Sequence, residues 1–195
     1  DDAVRLLLRR GAKKDCVTSR GETALHCAAR SNQPHVVRTL ISVAADVNIP
    51  TAKERQTPLH VALRVGNVDI VVMLLTSGAM VDATTVDLYT ALHVAAKEGH
   101  DDVTTILLDH HANQKLATKK GYTPLHLAAK YGHTEVVRQL LDRAADTDVR
   151  AHNALTPLHI ATHYNRPAIV QLLLHYNASA HAQAQNGYTA LHIAA

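Results

Sequence analysis

The sequence predicts an all-α solenoid of stacked helix-turn-helix units joined by β-hairpin loops. Three observations lead there: a tetrapeptide recurring at near-constant spacing, a Gly or Asn at a fixed offset after it, and an apolar set of Ala, Leu and Val without Phe or Trp. The tetrapeptide reads Thr23-Ala24-Leu25-His26, Thr57-Pro58-Leu59-His60, Thr90-Ala91-Leu92-His93, Thr123-Pro124-Leu125-His126, Thr156-Pro157-Leu158-His159 and Thr189-Ala190-Leu191-His192. Four of the five spacings are 33 residues; the first is 34, which places a one-residue insertion between Asn48 and Gln56. A period of this length is the mark of a repeat array, in which each unit buries its apolar face against the next.

Each element of a unit has a physical reason. The Thr can cap free backbone N–H groups at a helix start. Pro58, Pro124 and Pro157 follow it, at the first helical position, where a missing N–H costs nothing. A short helix is expected, for example over 124–130. Nine residues after each Thr stand Asn32, Gly66, Gly99, Gly132 and Asn165, the residue types that tolerate a left-handed helix end. A second helix follows, for example Thr134 to Asp142, with Val136, Val137, Leu140 and Leu141 at helical spacing. A polar, β-branched stretch with turn glycines Gly21, Gly121 and Gly187 leads to the next Thr.

The resulting organisation is one array: repeats at 21–53, 54–86, 87–119, 120–152 and 153–185, with partial repeats at 1–20 and 186–195. Residues 1–11 read as the second helix of a unit, and the last residues as the start of a first helix, so further repeats of the same parent chain are expected on both sides.

Composition and motifs narrow the function classes. A formal net charge of +3 is too small to argue for nucleic acid. No stretch is long and apolar enough for membrane insertion. The 2 cysteines, Cys16 and Cys27, are read as free thiols in a reducing compartment. Cys27 occupies the position of Val61, Val94, Leu127 and Ile160, and is expected in the core. Of the 15 His, those in the tetrapeptide are explained by a recurring structural position, with an imidazole bonded to backbone within and between units. No His/Cys spacing suits a metal, no Gly-rich loop suits a phosphate, and no nucleophile motif is present. No cofactor, metal or catalytic residue is therefore expected, and the chain is read as non-enzymatic.

The 33-residue period with this tetrapeptide resembles the ankyrin repeat family. The run Lys119-Lys120-Gly121-Tyr122-Thr123-Pro124-Leu125-His126, continued by Ala128-Ala129-Lys130-Tyr131-Gly132, is similar to the repeats of the spectrin-linked membrane-skeleton adaptors of that family. So are Asn153 to Asn165 and Gln185-Asn186-Gly187-Tyr188-Thr189. The chain departs from the pattern where the turn Gly becomes Arg55, Leu88 or Ala154, and where the Gly after the second helix becomes Ala44, His111, Ala144 or Asn177. Either these residues hold a left-handed backbone at a cost of about 1 kcal/mol each, or the turns are rebuilt.

The resemblance implies that two variable columns line a concave groove that binds partners. One column precedes each Thr: Glu22, Gln56, Tyr89, Tyr122, Leu155 and Tyr188. The other lies at the end of the first helix: Arg30, Arg64, Lys97, Lys130 and His163, with Tyr131 and Tyr164 beside the last two. Tyr supplies rigid contact area with a polar tip, and Arg or Lys selects acidic segments. The implied partners are extended or acidic cytoplasmic tails of membrane proteins. The implied setting is cytoplasmic, at the inner face of the plasma membrane. The other reading is a docking or spring element in a different parent, such as an ion channel, a kinase or a ubiquitin-ligase component.

Overall fold

The computed structural model describes residues 2–195. They divide into two compact units, one ending at Ala91 and the other spanning Leu92–Ala195. The first contains α1 (Asp2–Arg9), α2 (Ala24–Arg30), α3 (Pro34–Ser42), α4 (Pro58–Val65) and α5 (Val68–Thr76). In it α2 packs on α3 and on α4, α4 packs on α5, and the outer helices run α1, α3, α5.

The second unit contains α6 (Ala91–Glu98), α7 (Asp101–Asp109), α8 (Pro124–Tyr131), α9 (Thr134–Asp142), α10 (Pro157–His163), α11 (Pro167–His175) and α12 (Ala190–Ala194). Its inner helices α8, α10 and α12 pack in sequence, and so do its outer helices α7, α9 and α11. Each unit is therefore a stack of helix pairs, the solenoid arrangement expected from the period.

Both stacks are built around aliphatic side chains. Leu25, Leu40, Leu59 and Leu74 are fully buried in the first unit, and Leu107, Leu125, Leu140 and Leu158 in the second. Cys27 departs from expectation: it is exposed, not core. Its counterparts Val61, Leu127 and Ile160 are buried. α2 is the first inner helix among the described residues, so none of them flanks Cys27 from an earlier inner helix. Cys16 and Cys27 are both free thiols.

The loops carry no strand among the described residues. Each closes on a tight turn before the capping Thr, in which the Thr18 amide donates to the Glu22 carbonyl at 2.9 Å and the Gly21 amide to the Thr18 carbonyl at 2.8 Å. Thr118, Gly121 and Tyr122 repeat this pattern. Successive loops are joined by single bonds, such as Ala52 N–H to the Arg20 carbonyl at 3.0 Å, too few to form a ladder.

The departures from glycine are not rebuilt. Arg55, Leu88 and Ala154 keep φ of 54°, 61° and 56°, and Ala44, His111 and Ala144 keep 56°, 60° and 60°. The array carries this strain because each position ends a helix or turns a loop.

The motif His holds the stack together. Its Nδ1 accepts the backbone N–H of its own Thr, at 3.1 Å for Thr23–His26 and 3.2 Å for both Thr57–His60 and Thr123–His126. With Nδ1 accepting, the ring proton sits on Nε2. Nε2 then donates to a carbonyl one repeat on: Gln56 for His26, Tyr89 for His60, Tyr122 for His93 and Leu155 for His126, each at 3.0 Å, and Tyr188 for His159 at 3.1 Å. These five rings are buried, in keeping with the structural role expected of them.

Replacing Ala144 with Gly relieves a strained left-handed residue, and the urea midpoint should rise by the equivalent of about 0.5–1 kcal/mol. A fall would show that Ala144 holds φ 60° without cost. Burial depresses the pKa of His26, His60 and His126, the carbonyl bonds only partly opposing it, and His126 falls to about 4. A folded pKa below the unfolded value means that stability is complete above the unfolded value and is lost as pH falls through the window down to about 4. His126 alone contributes on the order of 3 kcal/mol to that loss. Urea midpoints at about pH 7 and about pH 4.5 should differ markedly, and level midpoints would contradict the buried neutral rings.

Candidate functional site

The residues singled out by the sequence fall on two structural positions. Glu22, Gln56, Tyr89, Tyr122, Leu155 and Tyr188 stand at the foot of the loops, immediately before the helix-capping Thr. Five of these positions supply the carbonyls that the motif His of the preceding repeat grips. Their backbone is thus fixed by a bond that no side chain in the column reveals. Tyr122 and Tyr188 also lie against the ring of the motif His that follows, with centroids 5.8 Å and 5.7 Å apart. Tyr188 is exposed; Tyr89, Tyr122 and Leu155 are half-buried.

The second position is the last turn of each inner helix. In the first unit it holds Arg30 and Arg64, both exposed. Arg30 forms an ion pair with Glu22, so one member of each column cancels the other. That bond lowers the carboxyl pKa of Glu22 and raises the guanidinium pKa of Arg30. Gln56 turns instead to Glu54, at 2.6 Å.

In the second unit the columns combine differently. Lys97 Nζ lies 6.0 Å from the Tyr131 ring centroid, Lys130 Nζ lies 5.5 Å from Tyr131 and 5.3 Å from Tyr164, and the His163 ring meets Tyr164 edge-on at 5.0 Å. The order Lys97, Tyr131, Lys130, Tyr164, His163 therefore alternates cation or imidazole with phenol. Partial desolvation pulls the Lys130 ammonium pKa down, but its bond to the Tyr164 hydroxyl and the neighbouring phenols more than offset this, and the net shift is upward. The charge stays on. Lys97 also touches Glu98 at 3.3 Å, so part of its charge is shared.

The backbone under these lysines is pinned from the next repeat. His133 Nε2 donates to the Lys97 carbonyl at 2.9 Å, and Arg166 Nε donates to the Lys130 carbonyl at 3.4 Å. Asn67 makes a related bridge in the first unit, to Asn32 Oδ1 at 2.6 Å. These donors are not among the residues that the repeat pattern singles out. Their signal is a polar side chain ten residues after each Thr: Gln33, Asn67, His100, His133 and Arg166. The approach also explains Gly99, where a Cβ would stand 2.3 Å from His133 Nδ1 and φ is +83°.

No group of three or more His, Cys, Asp or Glu among the described residues is placed to hold a metal ion. No helix among them is long and apolar enough to cross a membrane.

Comparison with known proteins places the repeat. The family described as "Ankyrin repeats (3 copies)" matches residues 1–87, 81–151 and 145–195. Ankyrin repeat and SOCS box protein 16 of Homo sapiens is 39% identical over 61 residues, 31% of this chain and 14% of that protein. B-cell lymphoma 3 protein homolog of Mus musculus is 34% identical over 88 residues, 44% of this chain and 20% of that protein. Alpha-latrotoxin-Lg1a of Latrodectus geometricus is 37% identical over 81 residues, 40% of this chain and 6% of that protein. The chain thus spans a fifth or less of these relatives' lengths. With the tetrapeptide, the capping His and family matches along the whole length, this chain belongs to the ankyrin repeat family.

Proposed function

We propose that this chain is a non-enzymatic protein-binding scaffold, and that its partner surface centres on Lys97, Tyr131, Lys130 and Tyr164. Ankyrin repeats are a protein-interaction fold. The observation that carries the reading is the alternation of ammonium groups and exposed phenols on inner-helix ends whose backbone is already bonded. Such a surface loses little backbone entropy on binding, because the carbonyls of Lys97 and Lys130 are bonded before the partner arrives. It suits an extended acidic segment: carboxylates meet Lys97 and Lys130, and the stems and rings between them pack on the phenols. Tyr122, Leu155, His163 and Tyr188 extend the surface within the same unit. Glu22, Arg30, Gln56, Arg64 and Tyr89 carry weaker contacts, since Arg30 is already paired.

The wording of residues 119–132 supports an adaptor that holds cytoplasmic tails of membrane proteins at the inner face of the plasma membrane. The relatives range from a SOCS-box protein to a toxin, which favours the binding surface over any one parent as the seat of function.

Titration of a Glu-rich extended peptide against Lys130→Glu and Tyr164→Ala tests the surface. Reversal at Lys130 should weaken binding by about five- to thirtyfold, and loss of the Tyr164 ring by about threefold. Affinity should also fall as salt rises. Unchanged affinity in both variants would remove the assignment.

A further inference from the structure

A second charged feature lies on the outer helices of the first unit, away from the inner-helix ends. A cleft of about 610 Å³ opens between α1 and α3, lined by Arg5, Arg9, Lys14 and Arg38 over Leu8 and Val43. Among the described residues no carboxylate lines it. Asp15 balances Lys14 at 3.2 Å and accepts the Asp46 N–H at 2.9 Å. Among the described residues Arg9 and Arg38 make no ion pair.

The second unit shows how the same register is closed elsewhere. The left-handed residue after each outer helix, Gly11, Ala44, His111 and Ala144, aligns the repeats. On that alignment Arg9 stands where α7 has Asp109, and Val43 where Arg143 follows α9. Asp109 and Arg143 form an ion pair at 2.6 Å. Arg38 stands where α9 has Arg138, which pairs with Glu135 at 3.4 Å. In the first unit Glu135 is replaced by His35, leaving Arg38 without that carboxylate. Gln139, whose Oε1 is buried, becomes the smaller Thr39. Two of these differences remove an acid and two remove bulk; Val43 also forgoes the Arg143 cation, yet the net change at these positions is toward positive charge. Together they open the space and leave it cationic.

We propose that this cleft binds a compact phosphorylated polyanion, of the size and charge of an inositol polyphosphate. The guanidinium forks of Arg9 and Arg38 match phosphate oxygens geometrically, and Leu8 and Val43 offer an apolar floor to the carbon face of a ring. The cleft lies between two helices, and its volume of about 610 Å³ is of the size that takes a compact ligand. The same chemistry arrives either as a free inositol phosphate or as the headgroup of an inositol phospholipid.

The test uses inositol hexakisphosphate in calorimetric titration, and vesicles of phosphatidylcholine with or without phosphatidylinositol bisphosphate in co-sedimentation. The variant Arg9→Asp with Val43→Arg installs the ion pair seen at Asp109 and Arg143, so it should keep the thermal melt while weakening inositol hexakisphosphate by roughly tenfold or more. Lys130→Glu should leave this binding unchanged, which separates the cleft from the inner-helix surface. Recruitment to the phosphoinositide vesicles, lost in the double variant, identifies the headgroup as the source; binding of the free phosphate alone identifies a soluble ligand. Absence of saturable binding in the parent chain, or equal affinity in the double variant, overturns the proposal.

Discussion

One imidazole per repeat makes bonds in two directions, and the stack depends on it. Nδ1 accepts the N–H of the Thr that opens its own helix, and Nε2 donates to the carbonyl at the foot of the next loop. Either bond alone would contribute about 1 kcal/mol. Their coupling through one neutral ring matters more. A helix that loses its cap also loosens its neighbour, so the repeats of a unit act together. Burial disfavours the charged form of His26, His60 and His126, so acid should act on several repeats at once.

The same bond decides where the surface side chains stand. The gripped carbonyls belong to Gln56, Tyr89, Tyr122, Leu155 and Tyr188, so the foot of each loop cannot drift from the helix before it. The inner-helix ends are held from the other side, by His133 on Lys97 and Arg166 on Lys130. Side chains can then vary freely at positions whose backbone is locked. That is how one frame presents an ion pair at Arg30 and Glu22 but an open series of cations and phenols from Lys97 to His163.

Much of this was legible in the sequence, because caps, left-handed ends and helical periodicity are local. The second helix from Thr134 to Asp142 is found with those bounds, and the first, expected over 124–130, runs to Tyr131. What failed was what depends on neighbours. Periodicity put Cys27 on a packing face, but burial requires another helix against that face. The loops have β-branched residues and turn glycines, yet one pair of bonds per turn does not make strands. For the candidate site, residue type and position were readable. Their state of engagement was not: Arg30 and Lys97 look alike as letters, and only their reach shows one paired with Glu22 and the other between Glu98 and the Tyr131 ring.

The two charged surfaces differ in what supplies their specificity. On the inner-helix ends, cations alternate with phenols, so attraction to an acid is combined with apolar contact, and salt screens only part of the binding. At the cleft between α1 and α3, charge is concentrated by the loss of Asp and Glu from positions that elsewhere hold them. An array that repeats its frame can thus change partner chemistry without changing its fold. Exchanging an acid for Arg at one outer position alters the local field, while the Thr–His bonds that carry the stack belong to the inner helices.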